Sequence, residues 1–198
     1  RIEAWIATAE PPAFDRHFPV DRALADRGAR IYLQRCAACH GKSGSDFSGA
    51  GVGKLTPIAA IGTDRGRLDS YTLELAQNQG MLYSADPARR FRHFRKTWGY
   101  ANAPLDGLWL RAPYLHNGSV PTLWDLLQPA SQRPKTFYRG NNLYDPKHLG
   151  FVSAEAPDLF RFDTSTPGNG NAGHEGAAYG TTLPDADKWA LLEYLKTF

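Results

Sequence analysis

Cys36-Ala37-Ala38-Cys39-His40 is the stretch of the chain best equipped for chemistry. Two thiols three residues apart, followed directly by an imidazole, match the C-x-x-C-H pattern at which a haem is attached covalently. Each thiol can add to one vinyl group of the porphyrin, and the adjacent imidazole takes the iron from one side. A short helical turn puts both sulfurs along one edge while the histidine points inward. Two other chemistries use paired cysteines. A zinc half-site needs two further soft ligands, and Cys36 and Cys39 are the only cysteines present. A thioredoxin-like redox pair sits in a βαβ context, which the flanking residues lack. The pattern predicts one haem c, anchored by Cys36 and Cys39, with His40 on the proximal side of the iron.

The other face of the iron decides the chemistry. A six-coordinate iron suits electron transfer, and an open one suits oxygen or peroxide. The side chains able to close it are Met81, the only methionine, and His17, His93, His116, His148 and His174. Met81 sits in Gln-Gly-Met-Leu-Tyr and could equally fill a gap in the core. His174 lies in Pro167-Gly-Asn-Gly-Asn-Ala-Gly-His174-Glu-Gly, where glycines let backbone approach a flat cofactor, or where a histidine simply meets solvent.

Two helices must position the motif. Pro11-Pro12 and Pro19 make residues 1–20 an extended arm, and Asp21 is a good N-cap for a helix that runs into Cys36. Leu24, Gly28, Ile31 and Tyr32 share one face, and Gly28 with Tyr32 lets a second helix come close and stack on an aromatic. That second helix is the last element. It starts near Pro184, carries Asp185 and Asp187 in its first turn and Lys196 in its last, and presents Leu191, Tyr194, Leu195 and Phe198. Between them, residues 64–83 could be helical with Leu68, Tyr71, Leu75 and Leu82 on one side. Pro121 is placed to open a short helix with Leu123, Trp124 and Leu127 on its apolar face.

A Gly-x-x-x-Tyr helix leading into C-x-x-C-H-Gly, closed by Leu-Leu-x-Tyr-Leu-Lys, resembles the all-α cytochrome c fold, in which the first and last helices cross beside the haem. The stretch Arg111-Ala-Pro-Tyr-Leu-His116-Asn-Gly-Ser-Val-Pro-Thr-Leu resembles a signature of the bacterial dihaem cytochrome c peroxidases, to which the haem-c rubber oxygenases look related. Those enzymes use two haems and this chain can attach one, so the resemblance is to their electron-relaying haem domain. It implies that His116 is not the ligand but fixes a turn. The peroxidase ligand would fall around Gln128 to Gln132, where no methionine or histidine stands. In the small cytochromes the ligand loop precedes the last helix, and the relaying haem of the rubber oxygenases takes a late second histidine. Both point to His174. Arg111 is a candidate partner for a haem propionate, since a guanidinium binds a carboxylate in bidentate fashion, or else an ordinary surface arginine.

The expected fold is therefore all-α and cytochrome c-like, built over residues 21–198 around one covalent haem with long irregular loops. The nineteen glycines and fourteen prolines fit such loops. The expected function is that of a monohaem one-electron carrier, not an enzyme, with iron between His40 and His174. The alternatives are a haem-c peroxidase or oxygenase with an open distal site, and a relay domain of a larger multihaem enzyme. A net charge of +3 before haem propionates are counted gives no case for nucleic-acid binding, and no apolar run approaches a membrane span. The run Arg89-Arg-Phe-Arg-His-Phe-Arg-Lys96 holds five fixed positive charges. It reads as a solvated face with aromatic anchors, as a docking patch for an acidic redox partner, or as guanidiniums for propionates. Haem attachment to cysteine belongs to exported proteins, so a chain opening on Arg-Ile-Glu-Ala-Trp reads as a trimmed periplasmic one.

Overall fold

Asp21 starts the helix that carries the motif: its carboxylate accepts the Leu24 amide at 2.9 Å, capping α2 (Arg22–Arg35). In the computed structural model, which describes residues 2–6, 8–90 and 94–198, α2 follows a short helix, α1 (Ile2–Ile6), and a single 3-10 turn at Phe14–Arg16. A one-turn helix, α3 (Ala37–His40), continues from it through Cys36. The next elements are short: β1 (Leu55–Pro57), α4 (Ile58–Ile61), α5 (Gly66–Ser70), α6 (Leu73–Tyr83), β2 (Gly99–Ala101) and α7 (Leu123–Leu126). Then come β3 (Thr136–Arg139), β4 (Tyr144–Asp145), β5 (Gly150–Phe151), β6 (Phe160–Asp163) and the closing helix α8 (Asp185–Leu195).

Helices α2 and α8 form the main packing unit. Gly28 is what allows it, because a Cβ there would collide with the Ala190 carbonyl. Tyr32, fully buried, then packs on Tyr194 and Phe198 with ring centroids 5.3 and 5.0 Å away. Leu191, Leu192 and Leu195 face a core that also takes Tyr114, Val120, Leu123, Leu127 and Leu149. Phe14 belongs to the same core and meets Trp109 edge-on at 5.4 Å, while the Trp109 indole donates to the Pro12 carbonyl at 3.0 Å.

The fold is not all-α, and that expectation is corrected. Among the described residues, six strands form three separate antiparallel pairs, β1–β2, β3–β6 and β4–β5. The longest has a simple cause. Phe160-Arg-Phe-Asp163 alternates aromatic with polar residues, and the register sets Phe162 opposite Phe137, the two rings 5.0 Å apart on one side of the pair. The other two pairs are two or three residues long and close loops of the glycine-rich middle region.

Two helices also differ from the periodicity. Residues 64–83 split at Tyr71–Thr72, where the Thr72 hydroxyl accepts the Leu75 amide and starts a new helix. Leu75 and Leu82 on α6 are exposed, so they form no core stripe. The helix expected at Pro121 begins two residues later, with Thr122 as its cap. Among the described residues, no helix is long and apolar enough to cross a membrane.

Candidate functional site

The motif is shaped by the end of α2. Cys36 leaves the helix, and the amides of Cys39 and His40 fold back onto its carbonyl at 3.1 and 3.0 Å. Gly41 turns the chain with φ of 84°, and the buried Tyr32 hydroxyl donates to its carbonyl at 2.9 Å. Cys36 is half-buried and Cys39 exposed, and both are free thiols. Burial, with Cys39 beside it, pushes the Cys36 thiol up to about 12.

His40 is oriented by a backbone carbonyl. Its Nδ1–H donates to Ala103 O at 2.7 Å, the tautomer that leaves Nε2 with a free lone pair. A carbonyl at this position fixes a metal-binding ring in many proteins. Asn102, next to Ala103, ties this segment to the motif's other neighbour by donating from its side chain to Gly51 O at 3.0 Å.

His174 arrives from the opposite end of the chain. Its ring centre stands 6.3 Å from that of His40 with the planes at 52°, and Tyr179 packs on it at 4.6 Å. The two histidines line one cavity together with Cys36, Cys39, Tyr100 and Tyr179. His174 is nearly buried, and desolvation, then the nearby His40 and Arg133, lower its pKa to about 4. It is therefore a neutral imidazole at physiological pH, the form that ligates metals.

The loop that delivers it is held at every turn. Asn117 donates its side-chain amide to Gly168 O and Gly170 O at 3.1 and 2.9 Å, and the Asp64 carboxylate accepts the Gly170 amide at 3.2 Å. The His174 amide donates to Ile61 O at 2.8 Å. Arg133, itself buried, donates to carbonyls of Asn171, Gly173 and His174.

The remaining candidates lie elsewhere. Met81 is 60% exposed on α6, away from the cavity. His116 stacks on Tyr100 at 4.3 Å, almost parallel, without lining the cavity itself. His17 packs against Trp109, and the His148 Nδ1 bonds the Asp145 carboxylate at 2.6 Å. His93, with Phe91 and Arg92, falls outside the described residues. Arg111 donates to Pro104 O at 2.9 Å and pairs with the Asp106 carboxylate at 2.6 Å, and it is not part of the cavity lining. A larger groove of about 640 Å³, between Pro11, Ser43–Phe47 and Phe198, holds no histidine or cysteine and so offers no comparable chemistry.

Sequence reasoning missed Tyr100, Ala103, Asn117, Arg133 and Tyr179. Asn117 had a signal, since it lies inside the Ala-Pro-Tyr-x-His-x-Gly-Ser stretch. The others act through ring faces or backbone carbonyls, which leave no residue-type pattern.

Residues 99–138 match the family model described as RoxA-like, cytochrome c-like. That segment contains Tyr100, which lines the cavity, Ala103, whose carbonyl accepts from His40, and Asn117 and Arg133, which hold the loop of His174. The chain is also 35% identical to uncharacterized protein y4iJ of Sinorhizobium fredii, over 90% of this chain and 39% of the relative. It is 32% identical to uncharacterized protein y4iM of the same organism, over 91% of this chain and 50% of the relative. The chain thus spans half or less of the length of these curated relatives. The family-model match supports a relationship of residues 99–138 to cytochrome c-like domains.

Proposed function

We propose that this chain is a haem domain that carries single electrons, with one haem c bound through Cys36 and Cys39 and its iron held between His40 and His174. The observation that carries the reading is the 6.3 Å between the two imidazole centres. A metal about 2 Å from each ligating nitrogen, with each nitrogen about 1.1 Å from its ring centre, needs roughly 6.2 Å between centres. Two partnerless atoms add support: among the described residues, the His174 Nδ1 and the Tyr100 hydroxyl are buried without a hydrogen-bond partner. Polar atoms in that state suit a site built for a further group.

When bound, haem supplies a centre that gains and loses one electron. The chain supplies the rest. The Ala103 carbonyl takes the Nδ1–H of His40, which leaves Nε2 as the ring atom available to a metal, and burial keeps His174 neutral, so its imidazole presents a lone pair. Ligands fixed on both sides keep reorganisation small on electron transfer. The cavity measures about 210 Å³, below the roughly 300–1,000 Å³ of enclosing ligand pockets. A flat cofactor here would keep an edge in the mouth of the cleft, where a redox partner could reach it. Export to the periplasm and an acidic partner belong to the same reading.

A second reading, electron relay inside a longer multihaem polypeptide, draws on the length of the curated relatives. Both readings need the same coordination. The test is the absorption and low-temperature EPR spectrum of the ferric haem protein, with carbon monoxide added after reduction. Low-spin iron with a bis-imidazole signature that turns high-spin in His174→Ala is the expected result. High-spin ferric iron that binds carbon monoxide at once would overturn the carrier and favour a haem-c oxygenase or peroxidase.

A further inference from the structure

Arg133 is 2% exposed, yet no carboxylate accepts a hydrogen bond from it among the described residues. A guanidinium has five N–H groups, and here they meet five backbone carbonyls. Nε donates to Gln128 O at 3.0 Å, Nη1 to Asn171 O and Gly173 O, and Nη2 to Leu126 O at 3.2 Å and His174 O at 3.3 Å. Burying a cation this way is costly unless every donor is matched. The match is made by an unusual backbone. Gly173 and His174 both have positive φ, 84° and 49°, a conformation that costs a non-glycine residue energy.

We propose that Arg133 is the positioning residue for His174: its backbone-only clamp holds the loop in the strained form that presents the imidazole to His40. This rests on the reading of His174 as distal ligand. The strain and the buried charge offset each other. Carbonyls turned aside by the left-handed residues become the acceptors that a buried guanidinium requires, and the guanidinium keeps them there. Lysine has the charge but three donors on a point, so it could satisfy only part of the set.

The test is the rate at which carbon monoxide binds the reduced haem protein, because an incoming ligand must wait for His174 to leave. Wild type, Arg133→Met, Arg133→Lys and His174→Ala are compared, with thermal unfolding followed in parallel. Arg133→Met should bind carbon monoxide about ten-fold faster than wild type, and Arg133→Lys should fall between them. His174→Ala sets the upper limit. If both Arg133 variants stay within about two-fold of wild type while His174→Ala opens the site, Arg133 only stabilises the fold and the proposal is overturned, whatever their melting temperatures. If His174→Ala leaves the rate unchanged, the ligand assignment itself fails, and the role of Arg133 fails with it. Should Arg133→Met not fold, Arg133→Lys decides between the same outcomes.

Discussion

Gly28 lies against the backbone carbonyl of Ala190, so close that no side chain fits between α2 and α8. The contact sits one turn before Tyr32 and two before the Cys36–His40 motif. Gly28→Ala must push the helices apart, with a cost of about 1–3 kcal/mol or more from overpacking. Urea denaturation should show a lower midpoint with little change in slope. An unchanged midpoint would mean that the crossing has slack which the backbone geometry does not reveal.

Removing one oxygen tests the link from core to motif. Tyr32→Phe deletes the buried donor to Gly41 O while keeping the ring between Tyr194 and Phe198. The orphaned carbonyl should cost about 1–3 kcal/mol. A variant as stable as wild type would show that water reaches Gly41.

Alkaline pH should unfold the protein through its buried tyrosines. Burial raises the pKa of Tyr32, Tyr114 and Tyr144 above the ordinary value of 10.0. Groups raised in the folded state bind more protons there than in the unfolded chain. Their contribution is complete below the unfolded value near 10 and is lost as pH climbs above it, by up to about 1.4 kcal/mol per pH unit for each tyrosine. Stability measured between pH 8 and 12 should fall above about pH 10, and Tyr114→Phe should flatten the fall. A profile identical in the variant would remove Tyr114 from the account.

Covalent attachment is checked by intact mass. Chain produced in a host that attaches haem to cysteine should carry the mass of one haem, retained in denaturant. Cys36→Ser with Cys39→Ser should carry none. Retention of the added mass in that double variant would rule out thioether bonds at these residues.

Local signals were legible in the sequence, and contacts between distant segments were not. The Asp21 cap, the Gly28–Tyr32 face and the stripe on α8 are patterns within one turn or two, and all three shape the α2–α8 unit. Strands of two to four residues carry almost no periodic signal, and Phe137 finds Phe162 only across 25 residues of chain. Hence the all-α expectation failed in the middle region. At the site, His174 stood out because glycines surround it. Arg133 did not, since a guanidinium that binds only carbonyls looks in sequence like any other arginine.

His40 and His174 come from opposite ends of the chain, about 130 residues apart, and any bridge between them would close a very large loop. An iron shared by both rings would then act on the unfolded ensemble as a cross-link does. By the chain-entropy estimate for disulfides, a loop of that size is worth about 5 kcal/mol. Haem would be the knot that ties the glycine-rich middle of the molecule shut, and losing the hold of either histidine would loosen far more than the iron.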